Sequence, residues 1–464
     1  MKNNFLIKSA FIYMIGSFLS AGLAFLTTPI FTRILSVSEY GMVAIFITWV
    51  NIFIIIGGLE TESTIPIANI KYNKIEFNSY LSSILLLSSL SFILFSLIIF
   101  IFSNAIVSML GLSMLLLVIL IFQSFFAYVQ QFYNSYLIQT KKPLKSIILV
   151  ASFSILSTLL SIAFVIFFRD DKYIGQILGK AIIVVIYGIV VYFIIIKKSK
   201  PKINLQYWKF CLTLSIPIIF HLLSATMLSQ ADRIMLQMYN GFSEAGIYSF
   251  AYIIATILAI LWQATNKAWV PWYFEQTKNN NTSTINEFAR EYVLLFSLAT
   301  ISLMLLVPEI TMILGPNSYS GGEKITLIVM LGIYFNFLYS FFSNFEFYKE
   351  KTKWIAIGTI GAAIINILIN LLLIPTMGII GAAIATLISY IMLFVFHAII
   401  ATRLEGYNIK LSIIIKNIGL ILISFSVILF IIDYPIIRGV VLVVIMVYIF
   451  IRYKDMLIKL LKSN

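Results

Sequence analysis

A chain of 464 residues in which 61% are hydrophobic and only 11% charged is not an ordinary soluble domain, where about 45–50% are apolar and about 25% charged. Its single cysteine, Cys211, excludes an internal disulfide and any CxxC metal or redox centre, and no long hydrophilic stretch leaves room for a soluble enzymatic domain. The formal charge of +14 would point to nucleic acid in a soluble protein, but here the cations sit in short segments between apolar runs.

The first run, MKNNFLIKSAFIYMIGSFLSAGLAFLTTPIF, resembles a secretory signal in its charge and apolar core. It is too long for one and leads directly into further runs, so it reads as an uncleaved first helix. Cutting at charges, Gly, Pro and Asn gives apolar runs near 6–31, 41–59, 79–102, 107–137, 144–168, 174–196, 210–237, 245–270, 291–314, 324–346, 354–374, 379–402, 411–432 and 435–451. The hydrocarbon core of a bilayer takes about 20 apolar residues as a helix, which predicts an all-α integral membrane protein of about fourteen transmembrane helices. The runs lack the two-residue alternation of a membrane β-barrel. Pro217, inside the seventh run, removes a backbone hydrogen bond and predicts a kink there.

With the N-terminus cytoplasmic, 25 of the 32 Lys and Arg residues fall on the cytoplasmic side and six, including Arg33, Arg169 and Arg233, on the other. That asymmetry follows the positive-inside rule and predicts a multi-pass inner-membrane protein with both termini cytoplasmic. An internal repeat supports the segmentation. Ser38-Glu39-Tyr40-Gly41 after the first span matches Ser243-Glu244-Ala245-Gly246 after the seventh; Asn134 to Lys141 matches Asn344 to Lys351; Ile174-Gly175 matches Ile380-Gly381. Six spans separate each pair, so both halves enter the membrane in the same sense, as in transporters built from parallel repeats. The expected organisation is an N-terminal six-helix lobe over 1–205, a pseudo-symmetric six-helix lobe over 206–405, and two further helices over 406–464. A duplicated structural bundle without transport is the alternative.

Several segments carry a family likeness: TTPIFTRILSVSEYGMVAIF after the first span, ADRIMLQMYNGFSEAGIYSFAYIIATIL after the seventh, KAWVPWYF after the eighth and PEITMILGPNSYSGG after the ninth. In order and spacing they resemble the Wzx-type polysaccharide and O-antigen repeat-unit flippases of the multidrug/oligosaccharidyl-lipid/polysaccharide superfamily. The resemblance runs from the first span to about the twelfth. It implies a two-lobed fold with a central hydrophilic cavity. The implied substrate is an oligosaccharide repeat unit of O-antigen or capsule on undecaprenyl diphosphate, moved from the cytoplasmic to the periplasmic leaflet. A polysaccharide polymerase and a chain-length regulator are the implied protein partners, with membrane lipids around them and no nucleic acid.

A diphosphate and several sugars crossing about 30 Å of hydrocarbon need fixed cations and polar groups, because bare charge in oil is prohibitively costly. Lys180 lies about six residues into the sixth span, or ~9 Å deep, where a lysine costs about 2.5–3.5 kcal/mol on insertion scales. It reads either as cavity lining or as a side chain snorkelling to the interface. Arg33 and Arg233, at the outer ends of spans one and seven, read as substrate contacts or interfacial anchors. Thr226, Gln230, Arg233 and Gln237 form one polar stripe on span seven. Asp232 points elsewhere on that helix; it resembles an acidic residue of the family and is expected either to bind a coupling ion or to be structural. Gln123, Gln130 and Asn134 share a face of span four, and Asn336, Ser340 and Asn344 one of span ten. Gln263, Asn266 and Lys267 cluster before Pro271, and Asn366 and Asn370 are one turn apart. Each amide could equally bond helix to helix.

His221 reads as a packing hydrogen-bonder, with a proton relay as the sharper alternative. Glu60, Glu62 and Glu346 read as cytoplasmic-end residues in gate ion pairs. No Walker-type loop is present, so no nucleotide cofactor is expected, and coupling to H+ or Na+ stays open. The chain is not expected to be an enzyme. The rival functions are a membrane glycosyltransferase or polymerase, which the scarcity of paired acids in outer loops disfavours, and a cation-coupled multidrug exporter of the same superfamily.

Overall fold

The computed structural model describes residues 22–462 except 24, 199 and 201, with side chains to residue 454. Among them there is no strand. Residues 25–34 are helical and end at the break around Ser36. The chain forms two compact units. One extends to Ser249 and takes in Asn370–Gly378; the other comprises Phe250–Ile369 and Ile379–Asn464.

The first unit contains α1 (Val37–Gly58), a 3-10 turn (Thr61–Thr64), α2 (Ile65–Lys71), α3 (Lys74–Ile101), α4 (Ser103–Leu110), α5 (Met114–Gln139), α6 (Pro143–Phe167), α7 (Lys172–Ile196), α8 (Leu205–Asn240) and the start of α9 (Phe242–Lys278). Their starts are written in the sequence. Ser36 and Glu39 make a capping box on α1, and Asn73 and Glu76 make another on α3; each supplies an acceptor to exposed first-turn amides and receives a backbone amide in return. Ser113 and Asn204 cap α5 and α8, and Pro143 opens α6, where its missing N–H costs nothing. Pro217 lies inside α8, which runs through it as one helix of 36 residues.

The glycines of the repeated SEYG and SEAG segments pack against each other inside this unit. A β-carbon on Gly41 would lie 1.9 Å from the Phe242 carbonyl oxygen, and one on Gly246 would lie 2.3 Å from that of Val37. Only glycine lets the two backbones approach so closely, the usual way membrane helices gain dispersion contact where oil offers no hydrophobic drive.

The second unit holds the rest of α9, α10 (Thr282–Leu305), α11 (Val307–Leu314), a 3-10 segment (Asn317–Gly322), α12 (Glu323–Tyr348), most of α13 (Thr352–Arg403), α14 (Leu411–Ile431) and α15 (Pro435–Lys462). Its core is aromatic: Phe296 stacks on Phe337 with centroids 3.9 Å apart, and Trp269 contacts Tyr273, Tyr292 and Phe341. Ser297 ties Tyr334 to Asn417 across α10, α12 and α14. Arg438, almost fully buried, donates to Glu309 at 2.6 Å and to the Leu305 carbonyl at 2.6 Å, joining α15 to α10 and α11.

Twelve helices among the described residues are long and apolar enough to cross a membrane. The 52-residue α13 spans two of the predicted runs: Pro375 lies inside it, and Gly378 (φ 53, ψ −132) breaks the helical backbone between 354–374 and 379–402. The run 6–31 lies largely outside the described residues. About fourteen helices therefore fit. Large side chains such as Phe167, Phe430 and Ile436 are exposed along these helices, as expected where lipid rather than water is the solvent.

Candidate functional site

The polar groups of the first unit gather around α8. Asp232 is completely buried and accepts hydrogen bonds from Tyr248 Oη at 2.5 Å and Asn370 Nδ2 at 2.6 Å. Tyr248 comes from the start of α9, sixteen residues on, and Asn370 from the middle of α13. Two charge-directed donors offset part of the cost of holding a carboxylate away from water. In the same unit Gly378 approaches Glu244: its left-handed φ suits glycine, and a β-carbon there would lie 2.7 Å from Glu244 Oε2. Glu244 Oε2 is buried with no hydrogen-bond partner among the described residues. Around Asp232 there is thus one ring of carboxylate, phenol and amide; no group of three or more His, Cys, Asp or Glu side chains gathers anywhere among the described residues.

The stripe expected on α8 is present and lies along other helices of its unit. Gln230 accepts from Asn51 Nδ2 of α1 at 3.3 Å, Gln237 sits against Gly111, and half-buried Arg233 is an electrostatic neighbour of Tyr40. Arg33 is exposed and reaches back to the Pro29 carbonyl at 3.1 Å. Lys180, on α7, is half-buried and has no hydrogen-bond or ion-pair partner among the described residues. His221 is half-buried, and its Nδ1 has no partner among those residues.

The α5 amides take different places. Gln130 donates to the Val184 carbonyl at 2.8 Å and binds α5 to α7; Asn134 accepts from Ser146 Oγ and binds α5 to α6. Gln123 is buried, with its Oε1 unmatched among the described residues. In the second unit Asn266 accepts from Asn344 Nδ2 at 3.2 Å, so two of the predicted clusters meet, while Gln263 and Lys267 are exposed. Asn366 and Asn370 are both fully buried on α13.

Two acidic features differ from expectation. Glu60 and Glu62 form no ion pair among the described residues; their carboxyls meet one another, and the Glu62 charge acts on Tyr128, whose hydroxyl bonds Ser88. Burial pushes both above the ordinary carboxyl range, Glu62 furthest, where deeper burial leads and the Glu60 charge adds to it. The turn that presents them holds Leu59 and Glu60 at left-handed φ of 54° and 49°. Glu346 does pair, inside the second unit: it is wholly buried, with both oxygens 2.8 Å from Nδ1 of the equally buried His397. His397 escapes a sequence reading because its partner lies 51 residues away. Gly358, whose β-carbon would meet His397 Nε2 at 2.3 Å, is the only local hint of the space the ring needs.

At least twelve apolar helices among the described residues, with carboxylates and amides buried within them, make this chain an α-helical, multi-pass membrane protein. The chain belongs to the polysaccharide biosynthesis protein family, which it matches over residues 6–278. Two Haemophilus influenzae proteins are similar to it. Protein 1 of the Lsg locus is 24% identical over 370 residues, covering 75% of this chain and 86% of that protein. An uncharacterized membrane protein is 27% identical over 364 residues, covering 76% and 86%. Among solved structures, the lipid II flippase MurJ in an inward closed conformation matches with a TM-score of 0.74 at 17% identity, over 96% of this chain and 99% of that one. An inward-facing multidrug resistance transporter of the MATE family, from the MOP superfamily, matches with a TM-score of 0.67 at 14% identity, over 82% and 94%. At such identities the likeness is one of fold.

Proposed function

We propose that this chain is a flippase that carries undecaprenyl-diphosphate-linked oligosaccharide repeat units, of O-antigen or capsule, from the cytoplasmic to the periplasmic leaflet of the inner membrane. The termini are cytoplasmic, and the lobes at 1–205 and 206–405, to neither of which the helices of 406–464 belong, alternate between openings to the two sides. The observation that carries the reading is Lys180: a half-buried lysine inside a span with no carboxylate partner among the described residues. An isolated intramembrane cation is costly unless it meets an anion or water, and a diphosphate is such an anion. Arg233, Arg33 and Lys267 are the further cations proposed for the diphosphate. Gln123, Gln130, Asn134, Gln230, Gln263 and Asn366 are proposed for the sugar hydroxyls, and Asp232 for a coupling H+ or Na+. A polymerase and a chain-length regulator would receive the unit.

The test is complementation of a deletion strain. Lys180→Ala and Arg233→Ala should reach the membrane at normal levels yet leave lipid-linked oligosaccharide on the inner leaflet and abolish long-chain surface polysaccharide. Full export by both variants would refute the assignment. The fold shared with a MATE-family transporter and the buried Asp232 favour one second reading, a cation-coupled multidrug exporter; normal surface polysaccharide in the deletion strain, with raised drug sensitivity, would establish that instead.

A further inference from the structure

We infer that the first unit carries a binding site for the phosphate of an acidic phospholipid headgroup, at the end of its helices where the α2–α3 and α5–α6 turns meet. This site is separate from the polar groups around α8 and does not rest on the flippase reading. A pocket of about 480 Å3 opens there. Lys74, Lys142 and Tyr136 line it, with Asn69, Asn78 and Thr140 supplying amide and hydroxyl groups. Asn69 Nδ2 donates to the Gln139 carbonyl at 3.3 Å, which locks the two turns together.

The charge around the pocket is positive in excess, with Glu76 the acid that acts on its Tyr72 wall. Lys198 Nζ lies 3.4 Å from the centroid of the Tyr136 ring, and Lys142 Nζ lies 5.5 Å from the same ring. Lys71 sits 3.8 Å over Phe210 on the neighbouring α8. Burial holds Lys198 below the ordinary lysine range, and the charges of Lys142 and Lys145 act in the same direction, against the pull of Tyr136. Among the described residues none of Lys71, Lys74, Lys142, Lys145 and Lys198 is in a salt bridge. The acid nearest to Lys74 in the chain, Glu76, is committed to the Asn73 amide in its capping box. Lysines that repel one another, with Tyr136 the side chain that Lys142 and Lys198 share, are relieved by an anion. Phosphate oxygens also suit the amides and hydroxyl of the walls.

Two features favour a lipid over free phosphate. The pocket lies where α3, α5 and α6 begin or end, hence at headgroup depth for helices that span the bilayer, and basic pockets between helix ends recognise acidic headgroups there. Beside it Ile70, Ile75 and Leu144 are 88%, 80% and 63% exposed, an apolar rim on which acyl chains can lie.

The experiment uses the purified full-length protein in detergent. Native mass spectrometry reads retention of phosphatidylglycerol against phosphatidylcholine from an equal mixture, and inorganic phosphate is titrated separately. The wild type should retain phosphatidylglycerol selectively. Lys74→Gln combined with Lys142→Gln should weaken that retention by roughly tenfold or more, since each lysine near an acidic surface contributes to the attraction. Lys74→Arg with Lys142→Arg should keep it, and so should Lys353→Gln with Lys410→Gln outside the pocket. Unchanged selectivity in the Gln variant, eluting as a folded protein, overturns the site. Phosphate that competes with the lipid fully at equal concentration overturns the lipid assignment.

Discussion

Substituting Gly41 by Ala probes the close approach of α1 and α9 inside the first unit. The new methyl carbon would sit 1.9 Å from the Phe242 carbonyl oxygen and 2.9 Å from the Gly246 amide nitrogen. An ordinary carbon–oxygen contact is about 3.3–3.6 Å, so the backbones must part locally by roughly 1.4 Å or more. Neither neighbour is a flexible side chain that can swing aside. Overpacking of this kind costs about 1–3 kcal/mol, and a gap of 0.5–1 Å forfeits roughly a quarter to a half of the dispersion across it. Alanine regains about 0.8–1.0 kcal/mol of helix propensity over glycine, leaving a net loss of up to about 2 kcal/mol. The sole cysteine offers a local assay: Cys211 is fully buried in the same unit, so a thiol-reactive fluorophore reports when that unit opens on heating. Gly41→Ala should label at lower temperature than the wild type. Gly419→Ala, where a β-carbon meets nothing within 4 Å, should melt unchanged or slightly higher by circular dichroism. Labelling of Gly41→Ala at or above the wild-type temperature would refute the packing argument.

Three further outcomes follow from the buried polar groups. The folded state raises the carboxyl pKa of Glu62, so its contribution to stability is complete below the unfolded value and is lost as pH rises through the raised folded value. Glu62→Gln should therefore flatten the fall in melting temperature from acid to alkaline pH, and a parallel fall in both proteins would contradict this. Asp232→Ala removes the acceptor of the Tyr248 and Asn370 hydrogen bonds, and a bond to a charged group contributes about 1.5–3 kcal/mol. The variant should melt well below the wild type, and Tyr248→Phe by a smaller step in the same thermal assay. Gly358→Ala pushes on His397 Nε2 from 2.3 Å and should destabilise the protein less in a Glu346→Gln, His397→Asn background, where the pair is already gone; equal losses in the two backgrounds would argue that the methyl does not act through His397.

Much of the architecture is legible in the composition because the bilayer is a strict solvent. It demands about 20 apolar residues per crossing and satisfied backbone groups, so the apolar runs and the family segments are visible without coordinates. The repeat was equally readable, but not what its glycines do. That Gly41 and Gly246 meet backbone to backbone depends on how α1 lies against α9, a matter of packing that no spacing encodes. The polar groups show the same division. Residue type told that Asp232, Gln230 and Gln130 were costly inside spans; only the tertiary structure matched them to Asn370, Asn51 and Val184, between 54 and 179 residues distant. It also paired Glu346 with His397, and turned Glu60 and Glu62 toward each other rather than toward a cation. Solvent exclusion acts on each segment separately and so leaves its mark along the chain, whereas a hydrogen bond between helices depends on the depth and rotation of both, which packing alone sets.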